Sequence, residues 1–225
     1  MHIELLVEDA SGAALLAQLL PRILGGSGVP HTWRVHPYKG VGKIPEGLRG
    51  ADANKRILLD QLPRILAGYA KTPGIDAVVV VVDTDRQSCH DFLAELTALA
   101  RQTAPALNVI FRLAIEEVEA WYFGDTAAVA LAYPRAKHRV LATYVQDSVC
   151  GTWELLADAL YPGGSARVKQ QGWPAAGALK HEWAQTIGPH MDLWNNNSPR
   201  FNKFRAGLER LVAGDASDRA RCLLP

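Results

Sequence analysis

Cysteine, net charge and long apolar runs are all scarce in this chain of 225 residues. The cysteines Cys89, Cys150 and Cys222 lie far apart and form no Cys-x-x-Cys pair, which argues against a disulfide framework and a cysteine zinc site. The formal charge of +1 excludes a strongly basic protein that coats DNA by charge alone. No apolar run approaches the ~20 residues that a membrane-spanning helix needs. We therefore expect a cytoplasmic protein with no membrane segment.

What is present is a globular composition, with 48% hydrophobic and 21% charged residues. Residues 1–115 alternate between strand and helix patterns. Strands are predicted at 3–7, 31–36, 75–82 and 108–113, with helices beginning near Ser11, Asp52 and Ser88. The five valines of 78–82 show no polar alternation, which is typical of a central parallel strand buried on both faces. The predicted fold class is therefore α/β, with a mostly parallel sheet flanked by helices.

Strand patterns fade after residue 115, and helix patterns replace them. Helices are predicted at 116–133, 149–160, 175–187 and 199–213, and a basic loop at 163–173. No long linker separates the two parts. We expect 1–115 to form an α/β core and 116–225 to form a helical extension packed on it.

Acidic residues follow two of the predicted strands. Glu8 follows the first strand, and Asp83 and Asp85 follow the valine strand. Sites in open α/β sheets form at the carboxyl ends of the strands, so these carboxylates are expected to meet. Hard oxygen ligands of this kind suit Mg²⁺ or Mn²⁺. For an isolated Asp-x-Asp the ordinary alternative is a turn or a helix cap, but the valine strand and Glu8 favour a metal site.

The segments around these carboxylates resemble the TOPRIM domain, in which a glutamate after the first strand pairs with an Asp-x-Asp after a later strand. The residues that carry the resemblance are 5–11, Leu-Leu-Val-Glu-Asp-Ala-Ser, and 79–86, Val-Val-Val-Val-Asp-Thr-Asp-Arg. The stretches 116–125 and 198–204 are similar to the RloB-like and OLD-like nuclease branch. One departure is Asp9, where many TOPRIM domains have glycine, so the set of metal ligands differs or is crowded there.

The resemblance implies a TOPRIM/Rossmann-like fold and a Mg²⁺- or Mn²⁺-dependent reaction at phosphodiester bonds. It makes Glu8 an acid/base or metal ligand, and Asp83 and Asp85 metal ligands. Glu119 is a candidate fourth ligand, with Glu116 expected one helical turn away on the same face. The equally supported alternative is that these glutamates only favour a helix N-terminus. Two lysines are candidates to stabilise the transition state, Lys43 and Lys180.

Basic residues and tryptophans are interleaved in the second half. The tryptophans are Trp153, Trp173, Trp183 and Trp194, and the basic face on the last helix is Arg200, Lys203, Arg205 and Arg210. Such residues grip nucleic acids by phosphate contacts and base stacking. The alternative is that the tryptophans anchor helices in the core and the arginines cover the outer face.

Together these features predict a metal-dependent nuclease acting on DNA or RNA. The resemblance further implies antiphage defence with a separate ABC- or AAA-type ATPase as partner, because this chain carries no ATPase motif. The main alternative is a non-catalytic module that binds Mg²⁺ and phosphate or serves as an interaction subunit. Nucleotidyl transfer, as in primases, ranks lower because no nucleotide-binding motif is visible.

Overall fold

The central element of the fold is a four-stranded parallel sheet. The computed structural model describes residues 1–28, 30–48, 53–85 and 87–214. The strands are β1 (His2–Val7), β2 (Thr32–Pro37), β3 (Ala77–Asp83) and β4 (Asn108–Ala114). Their spatial order is β2-β1-β3-β4, and every neighbouring pair is parallel. The predicted parallel α/β sheet is confirmed.

Helices connect the strands and cover both faces of the sheet. They are α1 (Ala10–Leu24), α2 (Leu58–Tyr69) and α3 (Cys89–Thr103). The first helix begins near Ser11 as predicted, and its N-cap is Asp9, whose carboxylate accepts from the Gly12 N–H. Ser88 caps α3 as expected. The predicted helix start at Asp52 lies outside the described residues.

The valine strand is buried on both faces, as its lack of polar alternation predicted. Val79 and Val81 belong to the hydrophobic cluster that contains α1. Val78, Val80 and Val82 belong to the opposite cluster, with side chains of α2 and α3. Two-sided burial places β3 in the middle of the sheet, so the residues that follow it emerge at the centre of one edge.

The second half is helical, but its boundaries differ from those predicted. The helices are α4 (Ala120–Phe123), α5 (Thr126–Ala132), α6 (His138–Leu141), α7 (Thr152–Leu160), α8 (Gly164–Gln171), α9 (Trp173–Ile187) and α10 (Pro199–Ala213). Short 3-10 turns occur at Glu46–Leu48, Ala53–Lys55 and Gly188–His190. The predicted continuous helix 116–133 is wrong, because Glu116 has a φ of 60° and regular helix begins only at Ala120. The predicted loop 163–173 is also wrong, because α8 occupies most of it.

The second-half helices pack directly on the sheet. The Arg112 Nε of β4 donates to the Lys203 carbonyl of α10 at 3.0 Å. A Cβ on Gly207 would lie 1.9 Å from the Arg112 guanidinium, so this close approach requires glycine. Trp121 of α4 stacks on Phe204 with ring centroids 5.1 Å apart.

One hydrophobic cluster contains residues of both halves, so the division at residue 115 stays a prediction. The proposed extension continues to residue 225, and its last part, 215–225, is outside the described residues. Within the described ranges, no helix combines the length and apolar character that crossing a membrane requires.

Candidate active site

The carboxyl ends of β1 and β3 bring two of the predicted acidic residues together. These strands are adjacent and parallel, with Val7 opposite Val81. Glu8 therefore lies beside the end of β3, where its Oε2 accepts a hydrogen bond from the Asp83 N–H at 3.2 Å. The strand order thus produces the meeting of Glu8 and Asp83 that the sequence suggested.

Both carboxyl groups are poorly hydrated. Asp83 as a residue is half-buried, but its Oδ1 is fully buried and has no hydrogen-bond partner among the described residues. Burial, and next the charge of Glu8, raises the pKa of Asp83 well above its ordinary value. Burial also raises the pKa of Glu8 to about 7. Ionising both groups near neutral pH is therefore unfavourable without a nearby cation.

Asp85 lies at the exposed mouth of this pair. Its φ is 48°, and its N–H donates to the Glu116 carbonyl at 3.2 Å. The Glu116 N–H in turn donates to Thr84 Oγ1 at 3.0 Å. Two non-glycine residues with left-handed backbones thus face each other at the sheet edge, a conformation that costs free energy and is enriched at functional sites.

A largely buried lysine lies close enough to Asp83 for their charges to interact. Lys180 of α9 places its Nζ 3.1 Å from Glu117 Oε1 and 3.3 Å from Glu119 Oε2. Burial alone would lower the pKa of Lys180, but Glu119, Glu117 and Asp83 outweigh it and raise the pKa. Burial, followed by the charge of Glu119, raises the pKa of Glu117 to about 8. Glu119 is 1% exposed, and burial raises its pKa too.

The glutamates of residues 116–119 have two different roles: Glu116 caps a helix, and the other two pair with Lys180. Glu119 lies at the edge of the site through its ion pair with Lys180, and Glu117 pairs with the same ammonium. The sequence had not singled out Glu117, whose Oε2 also accepts from the Trp153 N–H at 3.1 Å. The partner of Glu117 is Lys180, 63 residues later, and no local spacing links them.

Glu116 is a cap and does not share a face with Glu119, contrary to the prediction. Its carboxylate accepts from the N–H groups of Cys150, Gly151 and Thr152, and from the Thr152 hydroxyl. It therefore satisfies the N-terminus of α7, a helix other than the one in its own segment. Burial alone would raise the pKa of Glu116, but these hydrogen bonds outweigh it and lower the pKa.

Asp9 caps α1 and Lys43 is exposed, but Asp9 stays near enough for its charge to help raise the pKa of Glu8. Both Asp9 carboxylate oxygens accept from the Ser11 hydroxyl, and Oδ1 also accepts from the Gly12 N–H. The aspartate at position 9, where many TOPRIM domains have glycine, therefore has a structural role as the N-cap of α1. Lys43 is exposed, and its backbone N–H donates to Asp60 Oδ1 at 3.3 Å. No contact between described residues joins its side chain to the carboxylates.

The carboxylates of this edge partly fit a divalent cation. The buried Asp83 Oδ1 without a hydrogen-bond donor is a hard ligand that a cation would satisfy. In the part of the chain that the structure describes, no three acidic, histidine or cysteine side chains stand close enough to hold one ion together. A bound ion would therefore take Glu8 and Asp83 as ligands and complete its sphere with water and substrate oxygens, as Mg²⁺ usually does.

A cleft of about 730 Å³ opens beside these residues. Its walls combine acidic side chains with the start of α7, namely Asp85, Gln87, Glu116, Glu117, Val149, Cys150, Gly151, Trp153 and Glu154. The cleft gives a substrate access to Asp85 and Glu117.

The tryptophans and arginines of the second half divide between core and surface. Trp183 is fully buried and Trp153 is 5% exposed, whereas Trp173 and Trp194 are largely exposed. On α10, Arg205 pairs with Glu209 at 2.7 Å and Arg200 with Asp147 at 3.5 Å. Part of the predicted basic face is therefore engaged in ion pairs within the protein.

Comparison with protein families gives one match. The model of a domain of unknown function, DUF4276, matches residues 7–209, which is most of the chain. The chain therefore belongs to the DUF4276 family. No curated protein matches it, and no solved structure matches it.

Proposed function

We propose that this DUF4276 protein is a metal-dependent nuclease that hydrolyses phosphodiester bonds with Mg²⁺ or Mn²⁺ as its cofactor. The observation that supports the proposal is the contact between Glu8 and Asp83 at the carboxyl ends of adjacent parallel strands, with a buried Asp83 oxygen that has no donor among the described residues. A buried carboxylate of this kind is costly alone and favourable beside a divalent cation.

In this proposal Glu8 and Asp83 hold the ion, with Asp85 at the mouth of the site. The ion, when bound, supplies Lewis-acid stabilisation of charge on the phosphoryl oxygens. Lys180 holds Glu117 at the wall of the cleft, where that carboxyl group can exchange a proton with a substrate group. Glu119 is assigned to fixing Lys180 and is not needed as a ligand.

A cleavage assay tests the proposal directly. Supercoiled DNA, single-stranded DNA and total tRNA are incubated with the protein and Mg²⁺ or Mn²⁺, for the wild type and for Asp83→Asn. The matched control is Asp91→Asn, which removes a carboxylate from an exposed position on α3. We expect metal-dependent cleavage that is lost in Asp83→Asn and kept in Asp91→Asn. Cleavage that survives Asp83→Asn would refute the assignment.

A second candidate function is a non-catalytic subunit that binds a cation or phosphate. The observation in its favour is Lys180, whose ammonium already offsets part of the negative charge beside Asp83. Isothermal titration of the folded protein with Mn²⁺, combined with the absence of cleavage on all three nucleic acids, would favour this function over hydrolysis.

We also propose a role in antiphage defence with a separate ABC- or AAA-type ATPase as partner, and this part rests on the TOPRIM and RloB-like/OLD-like resemblance alone. The test is to purify the tagged chain from its native host and identify the retained proteins. An ATPase that co-purifies and raises the rate of cleavage would support this part. Retention of no ATPase, or of one that leaves the rate unchanged, would contradict it.

A further inference from the structure

The cleft beside the candidate active site continues onto an aromatic surface. Trp153 lines the cleft together with Asp85 and Glu117. Its ring lies 6.4 Å from the ring of Trp173, centroid to centroid, with the planes inclined by 51°. Trp153 is 5% exposed and Trp173 is 81% exposed, so Trp173 is the solvent-facing member of the pair. The indole of Trp173 is thus open to a ligand that also reaches the cleft.

Positive charge accompanies this aromatic pair. Lys169 Nζ lies 5.7 Å from the centroid of the Trp153 ring and 3.2 Å from Glu154 Oε1. Lys169 belongs to α8, which also carries Arg167 and no acidic residue. The side chain of Lys169 is 57% exposed, so its ammonium remains accessible to a phosphate group.

The backbone presents Trp173 from a fixed position. Gly172, with a φ of 88°, turns the chain between α8 and α9, and Pro174 occupies the first turn of α9. Glycine adopts this positive φ without steric cost, and proline in the first turn fixes its own φ at a helical value. A stacking partner on Trp173 therefore meets a side chain whose backbone is already ordered, which lowers the entropy cost of binding.

We propose that the surface formed by Trp173, Trp153 and Lys169 binds an unpaired nucleotide of a single-stranded nucleic acid, whose chain continues into the cleft. The base stacks on the open face of Trp173, and Lys169 contacts a neighbouring phosphate. This inference rests on the proposed nuclease function, because it makes single strands the substrate class of the same site. Single strands expose both faces of each base, and aromatic side chains bind them without sequence preference.

Duplex nucleic acid fits this surface less well, because its bases are already stacked on each other and flipping one out costs a few kcal/mol per base. The combination of aromatic stacking with cations is typical of single-strand sites.

The experiment measures binding and cleavage separately. Fluorescence anisotropy follows a labelled single-stranded DNA, a single-stranded RNA and a duplex of the same sequence, with Ca²⁺ or with chelator in place of Mg²⁺. The variants are Trp173→Ala and Trp173→Phe. The matched control is Trp194→Ala, which removes another exposed indole, 64% exposed and not part of the cleft wall. Thermal unfolding confirms that each variant is folded.

We expect Trp173→Ala to weaken single-strand binding about tenfold, the effect of losing one base–aromatic stack, and Trp173→Phe to recover most of it. Trp194→Ala should stay within twofold of the wild type. The wild type should bind single strands more tightly than the duplex. Quenching of tryptophan emission by the unlabelled single strand should fall in Trp173→Phe.

Equal binding by the wild type and Trp173→Ala, or a preference for the duplex, would overturn the inference even if Asp83-dependent cleavage is present. Trp173-dependent binding of single strands without any cleavage would keep the binding surface and refute the nuclease. Failure to bind either single strand, in Ca²⁺ or in chelator, would refute the nucleic-acid surface.

Discussion

Two carboxylates at the same edge of the sheet, Glu116 and Asp83, have opposite surroundings. Glu116 receives hydrogen bonds from three consecutive backbone N–H groups and a hydroxyl, and its pKa is lowered. Asp83, at the end of the next strand, has a buried oxygen without a donor among the described residues, and its pKa is raised. The loops that follow β3 and β4 are joined by a hydrogen bond from the Asp85 N–H to the Glu116 carbonyl.

The difference distinguishes a carboxylate that stabilises the fold from a carboxylate suited to bind a cation. A carboxylate whose oxygens accept hydrogen bonds from the N–H groups of a helix N-terminus stabilises the fold and has few lone pairs left for a ligand. A carboxylate left unsatisfied beside like charges destabilises the fold and gains from a cation. Activity and stability should therefore respond in opposite ways to substitutions at the two positions.

The largest expected effect concerns Lys180, because its ammonium lies between the carboxylates of Glu117 and Glu119. Lys180→Met keeps the stem but removes the charge beside Glu119, which is buried, and Glu117, whose side chain is 17% exposed. Breaking a buried ion pair from one side should lower the free energy of unfolding by about 3 kcal/mol. Chemical denaturation at pH 8 measures this loss.

The control for Lys180→Met is Lys169→Met, which removes an exposed lysine from a surface ion pair with Glu154. Its effect on stability should stay below about 1 kcal/mol. Equal losses in the two variants would contradict the buried pairing of Lys180.

Asp83→Asn should separate activity from stability. Loss of a ligand in the proposed site should reduce cleavage by about 100-fold or more, as for other groups that organise a reactive centre. The isosteric amide removes a buried negative charge, so the metal-free protein should be at least as stable as the wild type. Parallel cleavage assays and melts in chelator check both statements. A variant that unfolds and loses activity together would show that Asp83 is structural.

Glu116→Ala should behave in the reverse way. It leaves the N–H groups of Cys150, Gly151 and Thr152 without their acceptor, which should cost about 2 kcal/mol of unfolding free energy. Glu116→Gln keeps an acceptor and should recover about half of that loss. Denaturation curves of the wild type, Glu116→Ala and Glu116→Gln provide the measurement. An unchanged midpoint for Glu116→Ala would contradict the capping role of Glu116.

The fold followed from local patterns wherever those patterns were strong. The valine strand and its neighbours were predicted to within a few residues, because strands buried on both faces have continuous apolar sequences rich in Val, Ile and Leu. Helix starts were less certain, since Asp9 and Ser11 are both capping residues two positions apart. The helix α8 was missed because its glycines and polar side chains resemble a loop. Its start is held by a side chain from α7, with the Ser165 N–H donating to Asp158 Oδ1 at 2.6 Å.

The candidate site was predictable only where it depends on strand order. Glu8 and Asp83 follow adjacent parallel strands, so their meeting follows from topology. The pairing of Lys180 with Glu117 joins segments 63 residues apart, and no periodicity or motif encodes it. The role of Glu116 depends on the position of the N-terminus of α7 in the folded protein, which is set by tertiary packing. Local sequence reasoning has no access to contacts of this kind.

The last expected effect concerns pH and tests whether the carboxyl group of Glu8 is destabilised in its ionised form in the folded protein. The pKa of Glu8 is raised to about 7 in the folded protein from an ordinary value of 4.5. Its protonated form therefore stabilises the fold fully below pH 4.5, and this stability is lost as pH rises through 7. In chelator, the wild type should lose stability between pH 5 and pH 8, and Glu8→Gln should lose about 2 kcal/mol less over the same interval. Urea denaturation at both pH values measures the difference, with Asp91→Asn expected to keep the wild-type slope. Identical slopes in the wild type and Glu8→Gln would mean that Glu8 is already well solvated, and the contrast with Glu116 would then rest on Asp83 alone.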